Sequence, residues 1–245
     1  MQKQQNFSAK ACKMLNVDIQ DVNRPWLTSI ETLMKLIGVL GMLLPILLWL
    51  FLYLNTGRLE ELPSISHYFF TRSNPVFIIV VSLMAIFLMI YKRHKPIDFF
   101  LSFLAGFAAL LVLLFPTDSI ATSCCNVCDT QSMTYIKESG FRVKFHYISA
   151  AVFLSILNYM CFFLFTKSDQ LKANRTPEKK KRNLVYIVCG SLMLIALLIM
   201  FSYFIDIFPK AIYENNNLTF WMETLAVESF GFSWLVKGGF ILKDK

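Results

Sequence analysis

Six apolar blocks, each close to the length of a membrane-crossing helix, constrain this chain more than any other feature. They span residues 36–54, 76–91, 99–115, 147–165, 184–205 and 218–236. A helix needs about 20 apolar residues to cross a hydrocarbon core of about 30 Å. The second and third blocks are short, so flanking residues have to complete those crossings at the interface. The blocks are apolar all round rather than striped, which marks helices buried on every side. They are continuous and rich in Leu, Ile and Phe, without the alternation of a membrane β-barrel. Charged residues make up only 16% of the chain and lie mostly between the blocks, against about 25% in an ordinary soluble domain. The expectation is an all-α fold: a polytopic membrane bundle of six transmembrane helices over residues 33–242. Residues 1–32 precede it as a cytoplasmic segment that can form an interfacial helix around Trp26. That segment and the length of the first block argue against a cleavable signal peptide. Pro45 sits inside the first block and is expected to kink it.

The basic residues orient the bundle. With the N-terminus in the cytoplasm, 18 of the 24 lysines and arginines fall on the inside, among them Lys92, Arg93, Lys95 and the run Lys179-Lys180-Lys181-Arg182. The other six, Arg58, Arg72, Lys137, Arg142, Lys144 and Lys210, fall outside. The positive-inside rule then selects cytoplasmic N- and C-termini. The same distribution removes nucleic acid as the meaning of the +8 net charge. The positive charge marks a cytoplasmic rim and offers contacts to anionic lipid headgroups.

Cysteines divide by side. Cys124, Cys125 and Cys128 crowd into the loop of residues 117–143, which this topology puts outside, where disulfides persist. One short bridge is expected there, Cys125 to Cys128 or Cys124 to Cys128. A zinc site would need a fourth ligand, with only Asp129 and His146 nearby in sequence, and a disulfide is favoured over metal. Cys12, Cys161 and Cys189 read as inert small hydrophobes. No cofactor is expected.

The last block carries the residues that cost most in a membrane. Glu223 would lie about 7 Å below the outer boundary and Glu228 about 15 Å below it, near the midplane. A charged carboxylate at that depth costs several kcal/mol, so an intramembrane acid is a functional candidate by default. Five helical residues turn about 500°, so the two carboxylates point some 140° apart and do not form a close pair. Asn158, Ser82 and Ser191 fall near the depth of Glu228 and are expected to form a polar layer with it. Toward the outside, His67, Arg72, His146 and Glu223 are the candidate ligand-binding set, with Tyr68 and Asp118 beside them.

A resemblance emerges from several short elements: Leu62-Pro63-Ser64-Ile65-Ser66 after the first block, Phe115-Pro116 closing the third, His146 opening the fourth, and Glu223 after an aromatic residue in the sixth. The chain resembles the six-helix FRAG/DRAM/Sfk superfamily and its bacterial relatives. That resemblance implies a lipid-linked role, with membrane lipids as partners and a bacterial plasma membrane as the location. The resulting expectation is a lipid-interacting membrane protein with an outward polar pocket, able to form homo-oligomers and not primarily an enzyme. Two other classes stand beside it. One is a small transporter or oligomeric ion channel using Glu228, against which there is no internal repeat. The other is an intramembrane lipid hydrolase, for which Ser66 with His67 or His146 is the local nucleophile and base.

Overall fold

The computed structural model describes residues 29–57, 61–92, 96–119, 134, 136–167 and 176–242. Each of the six apolar blocks falls largely within a helix. We label these α1 (Ile30–Thr56), α2 (Asn74–Ile90), α3 (Pro96–Leu114), α4 (Gly140–Tyr159), α5 (Pro177–Phe204) and α6 (Leu218–Lys237). A 3-10 helix, Ile65–Phe70, joins α1 to α2, and a short helix, Lys210–Asn215, precedes α6. The described residues contain no β-strand. Four of the helices, α1, α3, α4 with its continuation and α5, are long and apolar enough to cross a membrane; α2 is apolar but shorter. Glu223 and Glu228 lower the hydropathy of α6 despite its 20 residues.

Local sequence sets the helix ends. Pro177 occupies the first turn of α5, where its missing N–H costs nothing, and the Thr176 hydroxyl accepts the Lys179 N–H at 3.2 Å. Gly57 closes α1 in the left-handed region at φ 68°, donating its N–H to the Tyr53 carbonyl. α1 runs through Pro45 without ending. α4 continues into a π-helical stretch, Met160–Leu164. Beyond it the Phe165 carbonyl accepts the ammonium groups of both Lys179 and Lys237, each at 3.2 Å.

The helices pack as a closed ring. Each lies against its neighbour in sequence, and α6 returns to close against α1 in the most extensive helix pair. Small residues make that closure possible. A Cβ at Gly231 would lie 2.7 Å from the Gly38 carbonyl oxygen, and one at Gly38 would lie 2.8 Å from the Gly231 carbonyl oxygen. Within a membrane the hydrophobic effect does not press helices together, so such close backbone approach and its dispersion contacts carry the association. Gly106 plays the same part between α3 and α2, with Ala85 opposite. Buried hydroxyls are spent on backbone carbonyls: Ser73 donates to Leu48 at 2.9 Å and Ser102 to Leu88 at 2.6 Å. An apolar surround offers them no water. At the Lys237 end an aromatic cluster fills the ring, with the fully buried Trp234 edge-on to Tyr91, Phe165 and Phe230.

Candidate functional site

At the opposite end of the ring, the turn carrying Pro63–Phe70 is tied to the start of α6. Pro63 offers its carbonyl to the Phe220 N–H at 3.1 Å, satisfying one of the donors that a helix N-terminus leaves unpaired. Asn217 donates to the Glu61 carbonyl at 3.2 Å, and the Tyr68 ring packs on Phe220. Burial pushes the Tyr68 phenol well above its usual range. The decisive contact runs the other way. Glu223 accepts the Ile65 N–H at 2.7 Å and also takes the Ser66 N–H. Two backbone donors thus hold one carboxyl group, and each would be left unpaired without it.

His67, on the same turn, faces two partners. Its Nδ1 lies 2.7 Å from the Ser64 hydroxyl and its Nε2 lies 3.7 Å from Asp118 Oδ1. Asp118 follows the end of α3, and it accepts the Thr117 hydroxyl at 2.7 Å and the Tyr147 hydroxyl at 3.3 Å. His67 and then the Thr117 hydroxyl hold the Asp118 carboxyl well below the usual carboxylate range, against the opposing effect of burial. His146, buried on α4, anchors to the Phe115 carbonyl through Nδ1 at 2.8 Å. Arg142 reaches the Thr117 carbonyl at 3.3 Å.

The ring is not filled below this network. A small cavity of about 60 Å³ is lined by residues of α1, α2, α3, α4, α6 and the 3-10 turn. Its walls are mostly apolar, with Leu44, Phe77, Met84, Phe153 and Val227 among them, and Glu223 is its one charged residue. The partial exposure of Glu223 reflects that free face.

Of the expected ligand-binding set, His67, His146 and Glu223 therefore meet through the Ser64–Ser66 backbone and the Phe115–Asp118 segment, while Arg72 is exposed and makes no described contact with them. Ser64, Thr117 and Tyr147 join the network without having been singled out. The spacing of Ser64 three residues before His67, one turn of 3-10 helix, was the available signal. The expected polar layer is less connected. Asn158 is buried with its side-chain oxygen unpaired, and among the described residues no hydrogen bond joins it to Ser82, Ser191 or Glu228. Cys124, Cys125 and Cys128 lie outside the described residues. Cys161 and Cys189 are free and buried. Among the described residues no cluster of His, Cys, Asp and Glu has the makings of a metal site.

The ring of apolar helices and its cavity define a polytopic helical membrane protein. Residues 67–233 match the model of the serpentine type 7TM GPCR chemoreceptor family Srv, a segment that runs from the His67 turn through most of α6. The chain belongs to that family. This match overturns the resemblance to the FRAG/DRAM/Sfk superfamily, which rested on short elements scattered over the chain. The bacterial plasma membrane, inferred from that resemblance, loses its ground with it. No curated protein and no solved structure matches the chain.

Proposed function

We propose that the chain is a six-span membrane protein with both termini in the cytoplasm, and that its ring cavity binds a small lipid-like ligand. The single observation behind this reading is a mostly apolar cavity whose one charged wall residue, Glu223, is held by two backbone donors. Apolar walls suit a hydrocarbon body, and a fixed carboxylate suits a head that donates hydrogen bonds or carries positive charge. The chemoreceptor name of the family supports small-molecule recognition as the task. The 18-to-six division of lysines and arginines supports the orientation. Occupancy of the cavity braces α1, α2, α3, α4 and α6 against one another, so ligand binding couples to the arrangement of the ring.

Native mass spectrometry of the purified protein tests the site. Wild type retains a lipid-like adduct, and Glu223→Gln loses it; equal retention in both removes Glu223 from the site. The orientation is tested with a membrane-impermeant thiol reagent on whole cells. Lys137→Cys reacts from outside and Lys180→Cys does not; the reverse pattern inverts the topology.

A further inference from the structure

The geometry points to a nucleophilic serine next to the cavity wall: Ser64, His67 and Asp118 form a serine–histidine–aspartate relay suited to acyl transfer from a lipid ester. This goes beyond ligand binding and stands on different residues.

A serine three residues before a histidine can simply close a turn, and that alone would carry nothing. What distinguishes this histidine is the occupation of both ring nitrogens. Ser64 Oγ stands 2.7 Å from Nδ1, and a carboxylate from a separate segment of the chain stands 3.7 Å from Nε2. With Asp118 ionised, Nε2 carries the proton and Nδ1 presents its lone pair to the Ser64 hydroxyl. That is the tautomer a general base requires, and a nearby carboxylate favours it. Asp118 is itself held by Thr117 and Tyr147, so the orienting carboxylate has a set position. The His67–Asp118 separation is longer than a hydrogen bond, as such contacts often are before substrate binds. The cavity wall begins at the next two residues, Ile65 and Ser66, so an ester held at Ser64 lies next to a mostly apolar surface.

The step balances with water as co-reactant. Ser64 Oγ forms a bond to the ester carbonyl carbon, and its hydroxyl proton passes to His67 Nδ1. The bond from that carbon to the alcohol oxygen breaks, and the alcohol leaves with the proton from Nδ1. Water then attacks the acyl-serine, giving its proton to Nδ1, and the carboxylic acid departs as the proton returns to Ser64. The proton on Nε2 stays facing Asp118 throughout, which makes Asp118 a positioning residue.

The test uses the full chain in lipid nanodiscs and an alkyl fluorophosphonate, with the labelled residue mapped by peptide mass spectrometry. Wild type is labelled at Ser64, and labelling is lost in Ser64→Ala. His67→Gln slows it by about 100-fold or more, the usual scale of a lost general base. Asp118→Asn slows it as well, and Asp118→Glu recovers most of the rate. The inference is overturned if wild type stays unlabelled while a reference lipase in the same preparation is fully labelled. It is also overturned if the label maps to another serine, or if His67→Gln reacts at the wild-type rate. Glu223-dependent lipid retention without any labelling of Ser64 would leave the ligand cavity standing and remove the relay.

Discussion

Replacing Gly231 by alanine tests how the ring is closed. The added Cβ would lie 2.7 Å from both the Gly38 carbonyl oxygen and the Met42 backbone nitrogen. Ordinary contacts begin near 3.4 Å, so about 0.7 Å of separation is needed at this crossing. Both obstacles are backbone and cannot rotate aside; the relief has to come from moving α1 and α6 apart. A gap of that size forfeits a quarter to a half of the dispersion energy of each contact it opens. Overpacking of this kind costs about 3 kcal/mol when nothing can yield. In thermal unfolding of the detergent-solubilised protein, that cost corresponds to a loss on the order of 10 °C. Gly140→Ala is the control, because a Cβ there meets nothing within 4 Å; it leaves the transition in place or raises it slightly. Equal stability of Gly231→Ala and Gly140→Ala would refute the close α1–α6 approach and the argument built on it.

Three further outcomes follow from the same structure. Gly57→Ala places a Cβ on a residue at φ 68° with open space around it, so it destabilises by about 1 kcal/mol through backbone strain alone, measured by the same unfolding assay. Glu223→Leu leaves the Ile65 and Ser66 N–H groups without an acceptor and costs about 2 kcal/mol or more, whereas Glu223→Gln keeps an oxygen for them and costs less than half as much; comparable losses would mean that the carboxylate does not hold the turn. Asp118→Asn reads out linkage: a carboxyl depressed in the folded state stabilises at pH above the ordinary carboxylate range and loses that contribution as pH falls through the folded value. The gap to wild type, about 1 kcal/mol after discounting for the 38% exposure of the Asp118 side chain, is therefore flat above pH ~5 and narrows below pH ~4; a gap that widens on acidification contradicts the His67–Asp118 contact.

The helices were legible because an apolar block long enough to span hydrocarbon has few other ways to satisfy its backbone. Their ends were less so. α1, α4 and α5 begin six or seven residues before their apolar blocks, with Ile30, Gly140 and Pro177 at their starts, because helix propensity and caps continue past the hydrophobic boundary. The closure of α6 on α1 was not readable: Gly38, Gly41 and Gly231 are visible in the sequence, but no local rule pairs them. Within the site, intramembrane cost singled out Glu223, yet depth along a helix could not reveal that its partners are backbone N–H groups of a turn between α1 and α2. For Glu228 and Asn158, which no hydrogen bond joins among the described residues, equal depth is not by itself enough to bring two side chains together. The family was misread for a related reason, as short elements such as Leu62-Pro63-Ser64-Ile65-Ser66 recur by chance more easily than a pattern carried over residues 67–233.

Photo-crosslinking with a diazirine-bearing fatty alcohol addresses the cavity most directly. Irradiation of the nanodisc-embedded protein, followed by peptide mapping, gives crosslinks at Phe77, Val81, Met84 and Phe153 inside the ring, and Ala109→Phe, which fills the chamber, removes them. Crosslinks confined to outward-facing residues such as Ile79, Ile86 and Phe100, unchanged by Ala109→Phe, would contradict a ligand site within the bundle.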